Sequence, residues 1–106
     1  MADTVTAVDP IVLTTSAVTM YTCNAATVAQ IIDINVVNEH ASATATLTIS
    51  KGTDGAGKRI VKGLSLAPGD VYQRTGVIKL GATQVLQAYS DTASALTFAA
   101  TIVETT

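Results

Sequence analysis

The residues with reactive side chains are few, and they stand apart. A single histidine, His40, follows Glu39 in the polar run NEHAS. Imidazole holds a metal only when further His, Cys or carboxylate ligands converge on the same ion, and the chain has neither a second His nor a pair of cysteines. His40 therefore reads as a surface turn residue. Cys23 is also alone, which excludes an intrachain disulfide. With no base close to it in sequence, it reads as a small buried apolar side chain. The run KGTDGAGK (51–58) contains the G-x-x-x-x-G-K spacing of a phosphate-binding loop. However, Arg59 follows where a Ser or Thr hydroxyl is needed, and IVKGLSL then continues as a strand where that chemistry requires a helix N-terminus. A calcium loop needs several spaced oxygen ligands, and here Asp54 supplies the one charged oxygen donor. The other acids fall mostly at turns. Asp33 lies within a strand, and no two carboxylates can be placed by spacing at the separation that glycoside hydrolysis uses. Tyr21, Tyr72 and Tyr89 belong to three different strands; core-edge packing accounts for them better than a sugar-stacking platform does. No nucleophile–base or acid–base pair can be assembled, so the expectation is a protein that is not an enzyme, with no cofactor and no metal site.

The elements that would carry these residues are strands. The chain has 106 residues, of which 48% are hydrophobic and 4% aromatic, with Phe98 the single Phe and no Trp. That length suits one domain (1–106), which buries roughly 65% of its unfolded surface. Val, Ile, Leu and Ala supply the bulk, and these pack a thin layer between two close sheets better than they line a deep ligand cavity. Charged residues make up 13% and the formal net charge is −2. Such a surface lacks the basic patch that nucleic acids require. Thr-rich, weakly charged strands suit close contact with a neighbouring protein, because few ions need desolvating. No apolar run approaches the roughly 20 residues of a spanning helix, so no membrane partner is expected. Met1-Ala2-Asp3 lacks the basic start of a signal peptide, which points to synthesis in a cytoplasm.

Alternation of period two runs through most of the sequence. Residues 29–50, AQIIDINVVNEHASATATLTIS, read as a long strand, a polar turn and a second strand. In 30–38, Ile32, Ile34 and Val36 share one aliphatic face; Ile31, Asp33, Asn35 and Val37 share the other. In 43–50, Ala45, Leu47 and Ile49 alternate with Thr44, Thr46 and Thr48. The expectation is one inner wall formed by Ile32, Ile34, Val36, Ala45, Leu47 and Ile49, with Asp33, Asn35, Thr44, Thr46 and Thr48 facing outward. Residues 1–12 read as an N-terminal arm or an edge strand, broken at Asp9-Pro10. The glycine-rich 51–58 run is the most flexible stretch. Gly63 marks a bulge within strand 59–66. LAPGD (66–70) is a type II turn, with Pro presetting φ and Gly supplying φ > 0. Further strands are read at 71–74, 76–80, 84–90 and 95–104, the last placing Leu96, Phe98, Ala100 and Ile102 on one face. About eight strands, spaced roughly 10–12 residues apart and without a helix, define an all-β antiparallel sandwich. It is jelly-roll-like, with an Ig-like topology as the alternative.

The order of these pieces resembles small virion proteins of tailed phages, in particular β-sandwich cement or decoration proteins that cap capsids. The pieces that carry the likeness are VTMYTCNAATVAQIIDINVVNE, ASATATLTIS, LSLAPGD and GATQVLQAYSDTASALTFAATIVE, from about Val18 onward. The resemblance implies a mechanical function: binding outside the phage head, across seams between capsomers, many copies together. It implies the major capsid protein as partner, a homotrimer at local three-fold axes, and a place on the virion surface. A tail, neck or head-fibre component is the neighbouring alternative, and a carbohydrate-binding module a more distant one. The contact surfaces expected are residues 2–12, the loop carrying Lys51, Asp54, Lys58 and Arg59, and the polar strand faces of Asp33, Asn35, Thr44, Thr46 and Thr48.

Overall fold

The computed structural model describes residues 3–106; Met1 and Ala2, and with them the start of the expected N-terminal contact segment, lie outside the described residues. The described chain is all β. Nine strands follow in order: β1 (Asp3–Val12), β2 (Val18–Thr22), β3 (Val28–Asn38), β4 (Ala45–Lys51), β5 (Arg59–Leu66), β6 (Val71–Arg74), β7 (Ile78–Leu80), β8 (Val85–Ser90) and β9 (Leu96–Thr105). One sheet has the order β1-β9-β3-β6, with β7 also paired to β3, and the other has the order β2-β8-β4-β5. Every pairing is antiparallel. β6 and β7 lie end to end along the same side of β3, one opposite Ile34–Val37 and the other opposite Ala29–Ile31. Counted as one interrupted strand, they leave eight positions in two four-position sheets, the jelly-roll arrangement. The expected antiparallel sandwich is thus present, and the strand order selects jelly roll over the Ig-like alternative.

Most connections cross from one sheet to the other; β4 and β5 are neighbours that pair directly. Residues 29–50 are therefore not a hairpin. β3 and β4 belong to opposite sheets, and their apolar faces form two walls that meet, not one inner wall. The reason lies at the end of β3. Asn38 is 1% exposed. Its Nδ2 donates to Leu66 O at 2.8 Å and to Ala43 O at 3.0 Å, and its Oδ1 accepts from His40 N at 2.9 Å. Its backbone N donates to Asp70 O and its carbonyl accepts from Gly69 N. One side chain thus holds the end of β3, the link into β4 and the LAPGD turn from β5 to β6. That turn forms as its sequence predicts: Asp70 N donates to Ala67 O at 2.9 Å, and Gly69 takes the positive φ of 83°.

A β-bulge resets the alternation of β3. Ile31 pairs with Ile102 and Asp33 pairs with Thr101, so Ile32 is the extra residue. Before the bulge Ala29 and Ile31 are buried; after it Ile34, Val36 and Asn38 are. The expectation that Ile32 faces the core is corrected: it is 38% exposed, and Ile31 takes the core position at 0%. The bulge lies opposite the gap between β6 and β7, where residues 75–77 leave the sheet. A second bulge falls at Asp9-Pro10 in β1, which continues past it to Val12. A third surrounds Gly63, at φ 60°, opposite Thr48.

Between the sheets, Phe98 lies at 0% exposure in one core cluster that also holds Ile31, Ile34, Leu47, Ile49, Leu80, Leu86 and Ile102. β9 presents Leu96, Phe98, Ala100 and Ile102 inward, and β4 presents Ala45, Leu47 and Ile49, as their alternation predicts. The sandwich is thin, with Cα extents of 47 × 26 × 19 Å, and its core is built mainly of Leu, Ile and Ala.

Replacing Asn38 with Ala leaves the buried Leu66 carbonyl and the part-buried Ala43 carbonyl without their donor. We expect a loss of about 3 kcal/mol and a fall in Tm of roughly 15 °C, read by thermal denaturation. Asn35→Ala, on an exposed residue of the same strand, should move stability by no more than about 0.5 kcal/mol. Ile34→Asp buries an unpaired carboxylate and should abolish cooperative folding.

Candidate functional site

The polar residues singled out by sequence fall on opposite faces of the sandwich. Asp33 and Asn35 lie on the outer face of the β1-β9-β3-β6 sheet. Thr44, Thr46, Thr48, Lys51, Asp54, Lys58 and Arg59 belong to the other sheet and its β4–β5 loop. No single site unites them.

On the first face, the two bulges of β1 and β3 frame a shallow depression of about 290 Å³, lined among others by Ala7, Asp9, Pro10, Asp33, Asn35 and Thr101. Its walls are low because Ala7, Ala99 and Thr101 are small. Asn35 is exposed and Asp33 half-buried. Asp33 Oδ1 is shielded from solvent and has no hydrogen-bond partner among the described residues. The depression thus combines small side chains with two carboxylates, Asp9 and Asp33, one oxygen of the latter being shielded.

On the second face, the β4–β5 loop is tied down. Asp54 is its anchor. Its Oδ1 accepts from Ser50 Oγ at 2.6 Å and from Arg59 Nε at 3.1 Å, its Oδ2 accepts from Arg59 Nη2 at 3.3 Å, and its backbone N donates to Gln87 Oε1 at 3.0 Å. Gln87 in turn donates to Thr19 Oγ1 at 3.2 Å. Gly52 N donates to Val85 O at 2.7 Å, and Lys51 N to Lys58 O at 2.8 Å. The loop is folded back on its own sheet. The bonds from Arg59, then that from Ser50, hold the Asp54 carboxyl below its ordinary value. The same pair raises Arg59. Lys58 is exposed and Lys51 half-exposed. The phosphate-loop spacing thus lies on a strand-to-strand connection, not at a helix N-terminus.

The Thr row is uneven. Thr44 is exposed. Thr46 is half-exposed, and its N donates to Asp91 Oδ1 at 2.7 Å. That bond lowers the Asp91 carboxyl. Thr48 departs from expectation: it points outward but is 5% exposed, beside Tyr89 on β8, and its Oγ1 accepts from Gly63 N at 3.2 Å. The bulge turns the Gly63 donor toward the Thr48 hydroxyl, so this side chain serves the fold. His40 Nδ1 accepts from Ser42 N and Ala43 N at 3.1 and 2.9 Å, which makes it a turn residue. Cys23 is buried and free. The three tyrosines share no platform. Tyr72 packs against the core, Tyr89 lies on an outer face, and Tyr21 points between the sheets.

Sequence reasoning missed the cluster around Tyr21. The Tyr21 hydroxyl on β2 donates to Glu104 on β9, and Thr6 Oγ1 on β1 donates to the same carboxylate at 2.9 Å. This is a polar strut across the two sheets, near one end of the sandwich. The hydrogen bonds from Tyr21 and then Thr6 lower Glu104, and desolvation, followed by the bond to Glu104, raises Tyr21. The only trace in the sequence was the inward parity of Glu104 with Ile102 and Ala100.

With the geometry described, the chain can be set beside known proteins. No protein-family model matches it, and no curated protein matches its sequence. Solved structures do match in fold. One, of the acidic stable capsid of Helicobacter pylori bacteriophage KHP30, gives a TM-score of 0.62 at 10% identity, covering 100% of this chain and 94% of that one. A second, of Bacillus endospore appendages described as disulfide-linked pili, gives 0.57 at 10% identity, covering 99% and 87%. A third, of the T13 infectious bursal disease virus particle, gives 0.52 at 9% identity; it covers 96% of this chain but 30% of that one. These likenesses establish the jelly-roll fold.

The lowered carboxylates give a signed pH dependence. The ordinary values are 4.5 for Glu104 and 3.8 for Asp54 and Asp91, and all three are lowered in the folded chain. Their stabilisation is present above the ordinary values and is lost as pH falls through the lowered ones. Tm should therefore fall with acidification below about pH 4.5. Glu104→Gln should be less stable than wild type at pH 7, and the two should converge by about pH 2. For Asp54→Ala, amide exchange across 52–58 should rise at least about tenfold while exchange in the core strands stays unchanged.

Proposed function

We propose that this chain is a structural virion protein, a cement or decoration protein that binds the outside of a phage head and stabilises contacts between capsomers. One observation carries the reading: the sandwich matches a component of a phage capsid structure end to end, over 100% of this chain and 94% of that one. The pilus and bursal-disease-virus likenesses support the broader idea of a subunit repeated in an assembly.

In this reading the partner is the major capsid protein, and the working form is a homotrimer at local three-fold axes on the virion surface. Each contact is modest, and strength comes from the number of copies. The contact surfaces are the Asp33/Asn35 face, where Asn35 is exposed, and the rim formed by Thr44, Thr46, Lys51 and Lys58. Asp54, Arg59 and Thr48 support that rim from beneath.

The test is quantitative mass spectrometry of purified particles. A copy number near that of the major capsid protein, with shells losing heat resistance when the protein is stripped, is the expected result. A few copies per particle would instead make it a tail, neck or head-fibre component. Selective glycan binding without particle association would make it a carbohydrate-binding module.

A further inference from the structure

A two-sheet sandwich has four edges, and each leaves a row of backbone donors and acceptors open to another strand. Three of the four edges are blunted here. β5 carries the Gly63 bulge and the exposed Lys62. The β6/β7 edge is four residues, a gap, then three residues with Lys79 in the middle. β2 is five residues long with a register break between Thr19 and Tyr21. β1 differs. Its outer side is unpaired, and from Asp3 to Val8 it runs in unbroken register against Thr105–Ala100. That run, DTVTAV, contains no Lys, Arg, Pro or Gly and is rich in β-branched residues. Its single charge, Asp3, already accepts from Thr105 Oγ1 at 2.7 Å. Val5 at its centre is 70% exposed, the highest value among the large apolar side chains of the described residues.

We propose that the free edge of β1 pairs antiparallel with β1 of a second copy, about a two-fold axis through Val5, so that the β1-β9-β3-β6 sheet continues from one copy into the other. Side-chain parity restricts the register, charge disfavours sliding it toward the C-terminus, and Val5 opposite Val5 pairs the whole run Asp3–Ala7. Thr4, Thr6 and Val8 point inward and Asp3, Val5 and Ala7 outward, so a continuous sheet must set odd residues against odd and even against even. With Val5 opposite Val5, Thr4 meets Thr6 and Asp3 meets Ala7. These are β-branched and Thr–Thr pairs with no like charges opposed. Sliding toward the C-terminus, to Val5 opposite Ala7, sets Asp3 of each copy against Asp9 of the other, which opposes like charges. Beyond that point the Asp9-Pro10 bulge breaks the ladder. The bulge thus marks the end of the pairing run. A two-fold contact of this kind is separate from any three-fold one; on a shell it would join neighbouring trimers, and in solution it joins copies two at a time.

Sedimentation velocity over a concentration series tests this on the whole chain, with no capsid present, so it stands or falls separately from the virion reading. Wild type should associate in multiples of two. Val5→Lys and Val5→Glu each set like charges across the axis at an exposed position. Each should keep the wild-type circular dichroism and melt while weakening association at least about tenfold. An equimolar mixture of the two variants should restore pairing. Val5→Cys, with Cys23 buried, should give a disulfide-linked dimer on mild oxidation. A wild type that stays monomeric or purely trimeric, an association indifferent to both charge variants, or a mixture that does not recover would overturn the proposal.

Discussion

The buried amide of Asn38 is the interaction on which both sheets depend. An amide side chain has two donors and one acceptor group, and here all are used on backbone groups that would otherwise be orphaned inside the protein. The groups it satisfies belong to the end of β5 in one sheet and to the link that leaves β3 in the other. A hydrophobic residue of the same size would fill the space but leave those carbonyls unpaired. The amide thus fixes where the chain changes sheets, and the apolar walls of β3, β4 and β9 meet because that crossing is fixed. Glu104, Tyr21 and Thr6 make a second crossing through ionised and hydroxyl groups, so that one tie between the sheets is neutral and the other is sensitive to acid.

Much of this architecture was legible in the sequence because alternation is a direct image of a half-buried strand. β4 and β9 show it without interruption, and their inward residues follow from it. The LAPGD turn was legible for the same kind of reason, since Pro and Gly set backbone angles locally. The errors also have physical sources. A bulge adds one residue and reverses the parity on its far side, so β3 read as one continuous alternation gives Ile32 where the core takes Ile31. The sheet assignment of β3 and β4 depended on a side-chain amide whose partners lie up to 28 residues away. Composition does not reveal such a link, and a polar NEHAS turn suits a hairpin as well as a crossing. Gly63 was recognised as a bulge, but its consequence, the burial of Thr48 fifteen residues earlier, required the pairing register.

The surface residues were legible as types and not as a site. Glycine content marks the β4–β5 loop as free to bend, and yet Asp54 spends its acceptors on Ser50 and Arg59 and its amide on Gln87. What remains outside is a sparse set: small side chains around Asp33 on one face, and Thr44, Thr46, Lys51 and Lys58 on the other. A surface of this kind suits recognition by fit and repetition, since it holds no concentration of charge or aromatic area for a single strong contact. The same frugality explains why three sheet edges are interrupted. With weakly charged, Thr-rich outer faces, the bulges and the edge lysines Lys62 and Lys79 limit indiscriminate strand pairing.

The position of β9 has a consequence for the order of events in folding. It is the last strand of the described chain and yet a central one of its sheet, flanked by β1 on one side and β3 on the other. Neither of those long strands can complete its ladder until β9 has emerged, and the β1–β9 contacts close a loop of nearly the whole chain. Contacts so distant in sequence form late and slowly. In the other sheet β8 is likewise central, between β2 and β4, so both sheets close through strands late in the described chain. The sandwich is therefore completed by its most sequence-distant ladders, those that β9 makes with β1 and β8 makes with β2.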